Sequence, residues 1–305
     1  MTTKARFTAG SGVPLVTPFR GGAIDADAFA ELINFQIEAE TDALIICGST
    51  GENQALSIDE RGELVELATE AADGRIAIIA ATGCETQAET LALSARATDA
   101  GVDGLLIITP RATAASQDGV VAYLSAAAAL TDLPVYVYNY PQRTHTDISA
   151  ETIERLVLAH PNIVGVKQTD ADLRLVTEVR RRLGPEFHVF VGIEQWALPG
   201  LVLGSAGMIT ASANIVPREV GELFRAFRAG QLDEARRLHD VLSTIFDAVV
   251  YAESSPAGAL KYMLRRAGRL ATNEHRLPAL APSPQAQQQL DAVLVALADA
   301  VPALL

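Results

Sequence analysis

Cysteine is nearly missing from this sequence: Cys47 and Cys84 are the only two in 305 residues. They have neither metal-ligand spacing nor the pattern of a disulfide scaffold, so both are expected to be buried or incidental thiols in a reducing compartment, with no metal site. Positive clusters are missing as well. The chain has 24 Lys and Arg against 37 Asp and Glu, a formal net charge of −13, and no basic block. A chain of that sign repels nucleic acid and anionic membrane surfaces, which leaves small molecules as the expected partners. No apolar run reaches the length of a membrane helix, and the opening stretch MTTKARFTAGSG has no apolar core of signal-peptide length. These absences predict a soluble cytoplasmic protein. Low-complexity tracts and the GxGxxG turn of dinucleotide-binding folds are absent too.

What is present is alternation. Short β-branched runs recur at Val13 to Thr17, Ala43 to Cys47, Ile76 to Thr82, Gly104 to Ile108, Val135 to Asn139, Ile163 to Lys167, His188 to Gly192 and Gly207 to Thr210. Between them, sets such as Leu64, Leu67, Ala68, Ala71 and Ala88, Leu91, Ala92, Ala95 fall at i, i+3, i+4 and i+7, the spacing of a helix that covers one face of a sheet. Eight such units, with no GxGxxG turn, predict a closed (β/α)8 TIM barrel rather than an open doubly wound sheet. After about Pro217 only helical signals continue, with Leu238, Val241, Leu242, Ile245 and Val249 on one face and Leu290, Val293, Leu294 and Leu297 on another. The expected organisation is a barrel over residues 1–225 that carries the site, then a C-terminal helical appendage over 226–305, with a loop from Asn273 to Gln285.

Active sites of such barrels lie at the carboxyl ends of the strands. Three of those ends hold reactive side chains. The second run ends in Gly48-Ser49-Thr50-Gly51-Glu52, where glycines let backbone N–H groups approach an anion and two hydroxyls add to the same spot. A tight turn of small residues accounts for the same letters. The fifth ends in Tyr138-Asn139-Tyr140-Pro141-Gln142-Arg143-Thr144. Tyr138 is placed either to move protons or to fill the core, and Arg143 either to fork a carboxylate or to face solvent. The sixth, Ile163-Val164-Gly165-Val166, is wholly apolar and ends in Lys167. An amine enclosed in a barrel mouth loses solvation, its pKa falls and it becomes a nucleophile able to form a Schiff base with a 2-oxo acid. A lysine that snorkels out to solvent fits the same position.

GSTGE, YNYPQRT, GVK, Gly192-Ile193-Glu194 and Gly207-Met208-Ile209-Thr210 occur in an order and spacing that resembles the dihydrodipicolinate synthase and N-acetylneuraminate lyase family over essentially the whole chain. The resemblance implies a (β/α)8-barrel class I lyase of the cytoplasm, a homotetramer built as a dimer of dimers, that works through a covalent imine without metal or organic cofactor. It makes Lys167 the Schiff-base lysine, Tyr138 the proton relay, and Ser49 and Thr50, beside Gly48, the holders of the pyruvyl carboxylate. It also implies substrate contacts at Arg143, Thr169, Glu194 and Ile209. Synthases of this family carry a pair of tyrosines after the Thr-Pro of the fourth strand. Here that segment reads Thr109-Pro110-Arg111-Ala112-Thr113, so the relay tyrosine is replaced by Ala112. The resulting expectation is a pyruvate-dependent aldolase acting with an aldehyde or sugar acid. The alternatives are dihydrodipicolinate synthase itself, a deoxy-oxo sugar acid dehydratase, and a non-catalytic 2-oxo acid binder.

Overall fold

The computed structural model describes residues 4–250 and 255–300. Its strands are β1 Gly10–Pro14, β2 Phe19–Arg20, β3 Ala23–Ile24, β4 Ala43–Ile46, β5 Ala77–Ala81, β6 Gly104–Ile108, β7 Val135–Asn139, β8 Ile163–Gln168, β9 His188–Val191 and β10 Gly207–Ile209. β2 and β3 form a small antiparallel hairpin. The other eight, all parallel, close into a barrel in the order β1, β10, β9, β8, β7, β6, β5, β4. The helices are α1 Ala26–Glu38, α2 Ile58–Ala72, α3 Gln87–Asp99, α4 Gln117–Ala128, α5 Pro141–Thr144, α6 Ala150–Ala159, α7 Arg174–Leu183, α8 Ala197–Leu203, α9 Pro217–Arg228, α10 Leu232–Val250, α11 Pro256–Arg266 and α12 Pro284–Ala300. Among the described residues no helix is long and apolar enough to cross a membrane.

Seven of the predicted strand runs match observed strands to within a residue at either end. The first does not: β1 starts three residues earlier, at Gly10. Gly10 and Gly12 have poor strand propensity, but the barrel closes through them. A Cβ on Gly207 would stand 2.0 Å from the Gly10 carbonyl oxygen, and one on Gly12 would stand 3.0 Å from the Ile209 side chain. Small residues are what permit that approach.

The face expected for α3 is corrected. Thr90, Leu93, Ser94 and Ala97 are buried there, whereas Ala88 and Ala92 are exposed. The buried hydroxyls are satisfied: Ser94 donates to the Thr82 hydroxyl at 2.8 Å, and Thr90 accepts from the Cys84 amide at 2.9 Å. Small hydrogen-bonded side chains thus cover the barrel where apolar periodicity predicted alanines.

Alternate strand residues turn inward. Ala43, Ile45, Ile79, Leu106, Tyr136, Tyr138, Phe190 and Ile209 fill the barrel, while their neighbours face the helices. At the amino end Phe7 plugs the interior, stacked on Phe190 at 4.4 Å, and the Tyr136 hydroxyl donates to the Phe7 carbonyl. Losing a buried aromatic of this kind to alanine costs about 3–5 kcal/mol. That end is packed shut, so a ligand site is left to the carboxyl ends. The helices after the barrel bury Leu238, Leu242, Ile245 and Val249 from α10, and Leu290, Leu294 and Leu297 from α12.

Candidate active site

Strand register builds the site's centre. Tyr138 of β7 pairs with Lys167 of β8, so two residues of equal parity present their side chains together to the barrel interior. Above them a cavity of about 250 Å³ opens at the carboxyl ends of the strands. Lys167 lies in it, 5% exposed, with its ammonium 4.6 Å from the centre of the Tyr138 ring and no ion pair among the described residues. Burial pulls its pKa down from 10.5 to about 8; Tyr140 and Glu194 oppose the shift, and Arg143 adds to it. At pH 7 about a tenth of such lysines are neutral, about 300-fold more than for an unperturbed side chain.

The backbone beside the amine is shaped for it. A Cβ on Gly192 would stand 2.9 Å from Lys167 Cε and 2.0 Å from the Thr169 hydroxyl. Any side chain there would push the lysine or the Thr169 hydroxyl aside. The Tyr138 phenol is also buried, and burial raises its pKa against the opposing effects of Thr169, Arg143 and Ser49. Thr169 Oγ1 faces the phenol without the geometry of a full hydrogen bond, while its amide is fixed to the Asn139 carbonyl at 2.9 Å.

Ser49 and Thr50 line the cavity. Their backbone N–H groups donate to no group among the described residues, so two donors at the cavity's edge are left without a protein acceptor. The turn that presents them closes through the Gly51 amide on the Gly48 carbonyl, at 3.0 Å. Of the two glycines, Gly51 is the one sterics demand: a Cβ there would stand 2.9 Å from the Leu15 carbonyl oxygen. Gly48, expected at the substrate, does not line the cavity, and a Cβ there would find only ordinary contacts from 3.5 Å outward.

The remaining predicted residues converge as well. Ile209 and Glu194 line the cavity. Glu194 is 2% exposed, its Oε1 accepts from the Ser212 amide at 2.7 Å, and burial raises its pKa although Ser212 and Lys167 pull it the other way. Arg143 rests over the Tyr140 ring at 5.3 Å and has no carboxylate partner among the described residues. A free guanidinium at a cavity mouth is available to an anionic ligand. Among the described residues no three His, Cys, Asp or Glu side chains are grouped to hold a metal ion.

A buried, partly neutral lysine, a buried phenol beside it and open amides on a strand-end loop make a site for carbonyl chemistry on an anionic substrate. Residues 8–297 match the model of the Dihydrodipicolinate synthetase family. The chain belongs to that family. The 4-hydroxy-tetrahydrodipicolinate synthase of Nitratidesulfovibrio vulgaris is 39% identical to this member over 279 residues, 92% of this chain and 94% of that one. The crystal structure of dihydrodipicolinate synthase from Aquifex aeolicus superposes with a TM-score of 0.91 at 34% identity, covering 95% of this chain and 98% of that one. YagE, a prophage protein of the same family from E. coli K12 solved in complex with pyruvate, gives a TM-score of 0.90 at 28% identity, with 95% and 98% covered. This dihydrodipicolinate synthetase family member is an enzyme, a lyase.

The departure at Ala112 is local. Its segment is exposed, and Glu85 holds it by accepting from the Arg111 and Ala112 amides at 2.9 and 3.1 Å. Ala112 does not line the cavity. A second phenol does line it. Tyr140 stacks on Tyr138, ring centres 5.7 Å apart, beneath Arg143. Sequence reasoning assigned Tyr140 no role, yet Val135-Tyr136-Val137-Tyr138-Asn139-Tyr140 alternates with period two and puts three tyrosines on the inward face. Asn139 points the other way, donating to Gln168 Oε1 and Asp147 Oδ1 at 2.8 Å. Also missed was an apolar wall from the helical appendage: Ile245, Phe246 and Val249 of α10, with Pro256 and Ala257 of α11.

Proposed function

We propose that this chain is a pyruvate-dependent class I aldolase, in which Lys167 forms an imine with a 2-oxo acid and a C–C bond is made or cleaved at the adjacent carbon. One observation carries the reading: a buried lysine with a pKa near 8 shares a cavity with a buried tyrosine and two open backbone amides. The Ser49 and Thr50 amides receive the substrate carboxylate, which orients its carbonyl toward Lys167. The neutral amine adds to C2, Tyr138 passes a proton to the carbonyl oxygen, and water leaves to give the iminium. That cation draws electrons from C3, which loses a proton to become the enamine nucleophile; attack on an aldehyde forms the new bond, and water then releases the lysine. The imine itself is the electron sink, so the chemistry calls for no metal or organic cofactor. The pyruvate complex of the relative YagE supports pyruvate as the 2-oxo acid.

Arg143 supports a carboxylate on the second substrate. A second reading is therefore kept: condensation of pyruvate with aspartate semialdehyde, the reaction of dihydrodipicolinate synthase proper, which the names of the relatives favour. Ala112 weighs against it, since the relay tyrosine of those synthases is replaced. The buried Glu194 leaves open a hydroxylated sugar acid, and dehydration through the same imine. Turnover with product analysis on a panel of 2-oxo acids and aldehydes, aspartate semialdehyde included, tests these readings. Condensation products carrying the pyruvyl unit are expected. Binding without turnover on every pair would reduce the protein to a 2-oxo acid binder. A cytoplasmic homotetramer, a dimer of dimers, completes the proposal, and sedimentation equilibrium tests the assembly.

A further inference from the structure

Glu52 ends the Gly48–Glu52 loop in the left-handed region, at φ 58°, with its side chain 1% exposed. Its counter-charge is Lys261 of α11, 0% exposed and in direct ion-pair contact. Among the described residues no other group donates a hydrogen bond to either Glu52 oxygen. The ammonium also donates to the Glu274 carbonyl at 2.8 Å and lies 4.3 Å from the centre of the Phe19 ring. Buried pairs of this kind are weak evidence for stability, because apolar replacements of similar volume serve as well. What such a pair does fix is position: separating the partners would strand a buried charge, so the two segments are held together.

The neighbours on each side show what is held. The Glu52 amide donates to the Ser49 carbonyl at 3.3 Å, and the Gly51 carbonyl accepts from the buried Thr17 hydroxyl at 2.7 Å. One tight turn therefore links the anchored carboxylate to the open amides of Ser49 and Thr50. On the other side Pro256 and Ala257, one helical turn before Lys261, line the cavity. The same seam is reinforced from the segment after α11. Glu274 accepts from the Gly21 and Gly22 amides at 2.8 and 2.6 Å, and Arg276 donates to Glu60 at 2.6 Å and to the Gly22 carbonyl at 2.8 Å. Neither Glu52 nor Lys261 itself lines the cavity.

We propose that Glu52 and Lys261 are positioning residues through which the C-terminal helices set the geometry of the Ser49 and Thr50 amides, and with it the affinity for the 2-oxo acid carboxylate. This rests on the proposed role of those amides. The test is borohydride trapping at Lys167 across a pyruvate titration, on wild type and on Glu52→Gln/Lys261→Met, which removes both charges together. The half-saturating pyruvate concentration is expected to rise ~10–100-fold, the scale of a displaced binding group, while trapping at saturating pyruvate and the unfolding midpoint stay near wild type. If the double variant does not fold, Glu52→Leu/Lys261→Met, which replaces the pair by apolar side chains of similar volume, carries the same expectation. A folded variant with wild-type half-saturation overturns the positioning role alone. Wild-type protein that gives no adduct at Lys167 overturns the Schiff-base reading, and the positioning role with it.

Discussion

Replacing Lys167 with methionine is expected to make the protein more stable at neutral pH. In the folded state the ammonium's pKa falls from 10.5 to about 8, and burial is the main cause. A change of that size corresponds to about 3 kcal/mol, which the protonated folded protein bears at every pH below about 8. That figure is net of every interaction of the charged amine, attractive ones included, so Lys167→Met should gain up to about 3 kcal/mol at pH 7. The sign with pH follows. Between about 8 and 10.5 the unfolded chain keeps a proton on this lysine that the folded protein has lost, so wild-type stability rises with pH through that window. The gap between variant and wild type should therefore be widest below pH 8 and shrink to about a quarter of that size by pH 10. Urea unfolding of both proteins at pH 7 and pH 10, at one protein concentration, measures it. A wild type at least as stable as the variant at pH 7, or a gap unchanged at pH 10, would refute the claim that this amine is held by burial in a partly neutral state.

Tyr138→Phe should keep the fold and lower kcat by ~10²–10⁴-fold, the range for loss of a positioned acid–base group; an unchanged kcat would reduce Tyr138 to packing. Gly192→Ala places a methyl 2.9 Å from Lys167 Cε and 2.0 Å from the Thr169 hydroxyl, so imine formation should slow by ~10²-fold in a folded protein, read by the rate of borohydride trapping and by circular dichroism. Arg143→Ala should weaken transition-state binding of carboxylate-bearing aldehydes by about 1.5–3 kcal/mol in kcat/KM and leave neutral aldehydes nearly unaffected; equal losses for both would remove Arg143 from the second-substrate site.

The barrel was legible because its strands are buried on both faces and read as dense β-branched runs, and the strand ends then pointed to Ser49, Tyr138 and Lys167. All three meet in one cavity. Where the reading failed, a force other than hydrophobic periodicity decides the structure. β1 begins on Gly10 because closure needs the close approach of Gly207, which strand propensity cannot show. α3 buries Thr90 and Ser94 because their hydroxyls find partners on neighbouring elements, which is a tertiary fact. The Glu52–Lys261 pair is likewise invisible in sequence, since each residue reads as a surface charge until the fold brings them together. Tyr140 was different: its period-two spacing from Tyr136 and Tyr138 carried the signal.

The central claim is that Lys167 forms an imine with a 2-oxo acid, and reduction of that imine tests it most directly. Protein incubated with pyruvate, treated with borohydride, digested and mapped by mass spectrometry should carry one reduced pyruvyl group, on the peptide containing Lys167. Lys167→Met should carry none under the same conditions. An adduct on another lysine, or intact wild-type protein with no adduct at saturating pyruvate, would contradict the account.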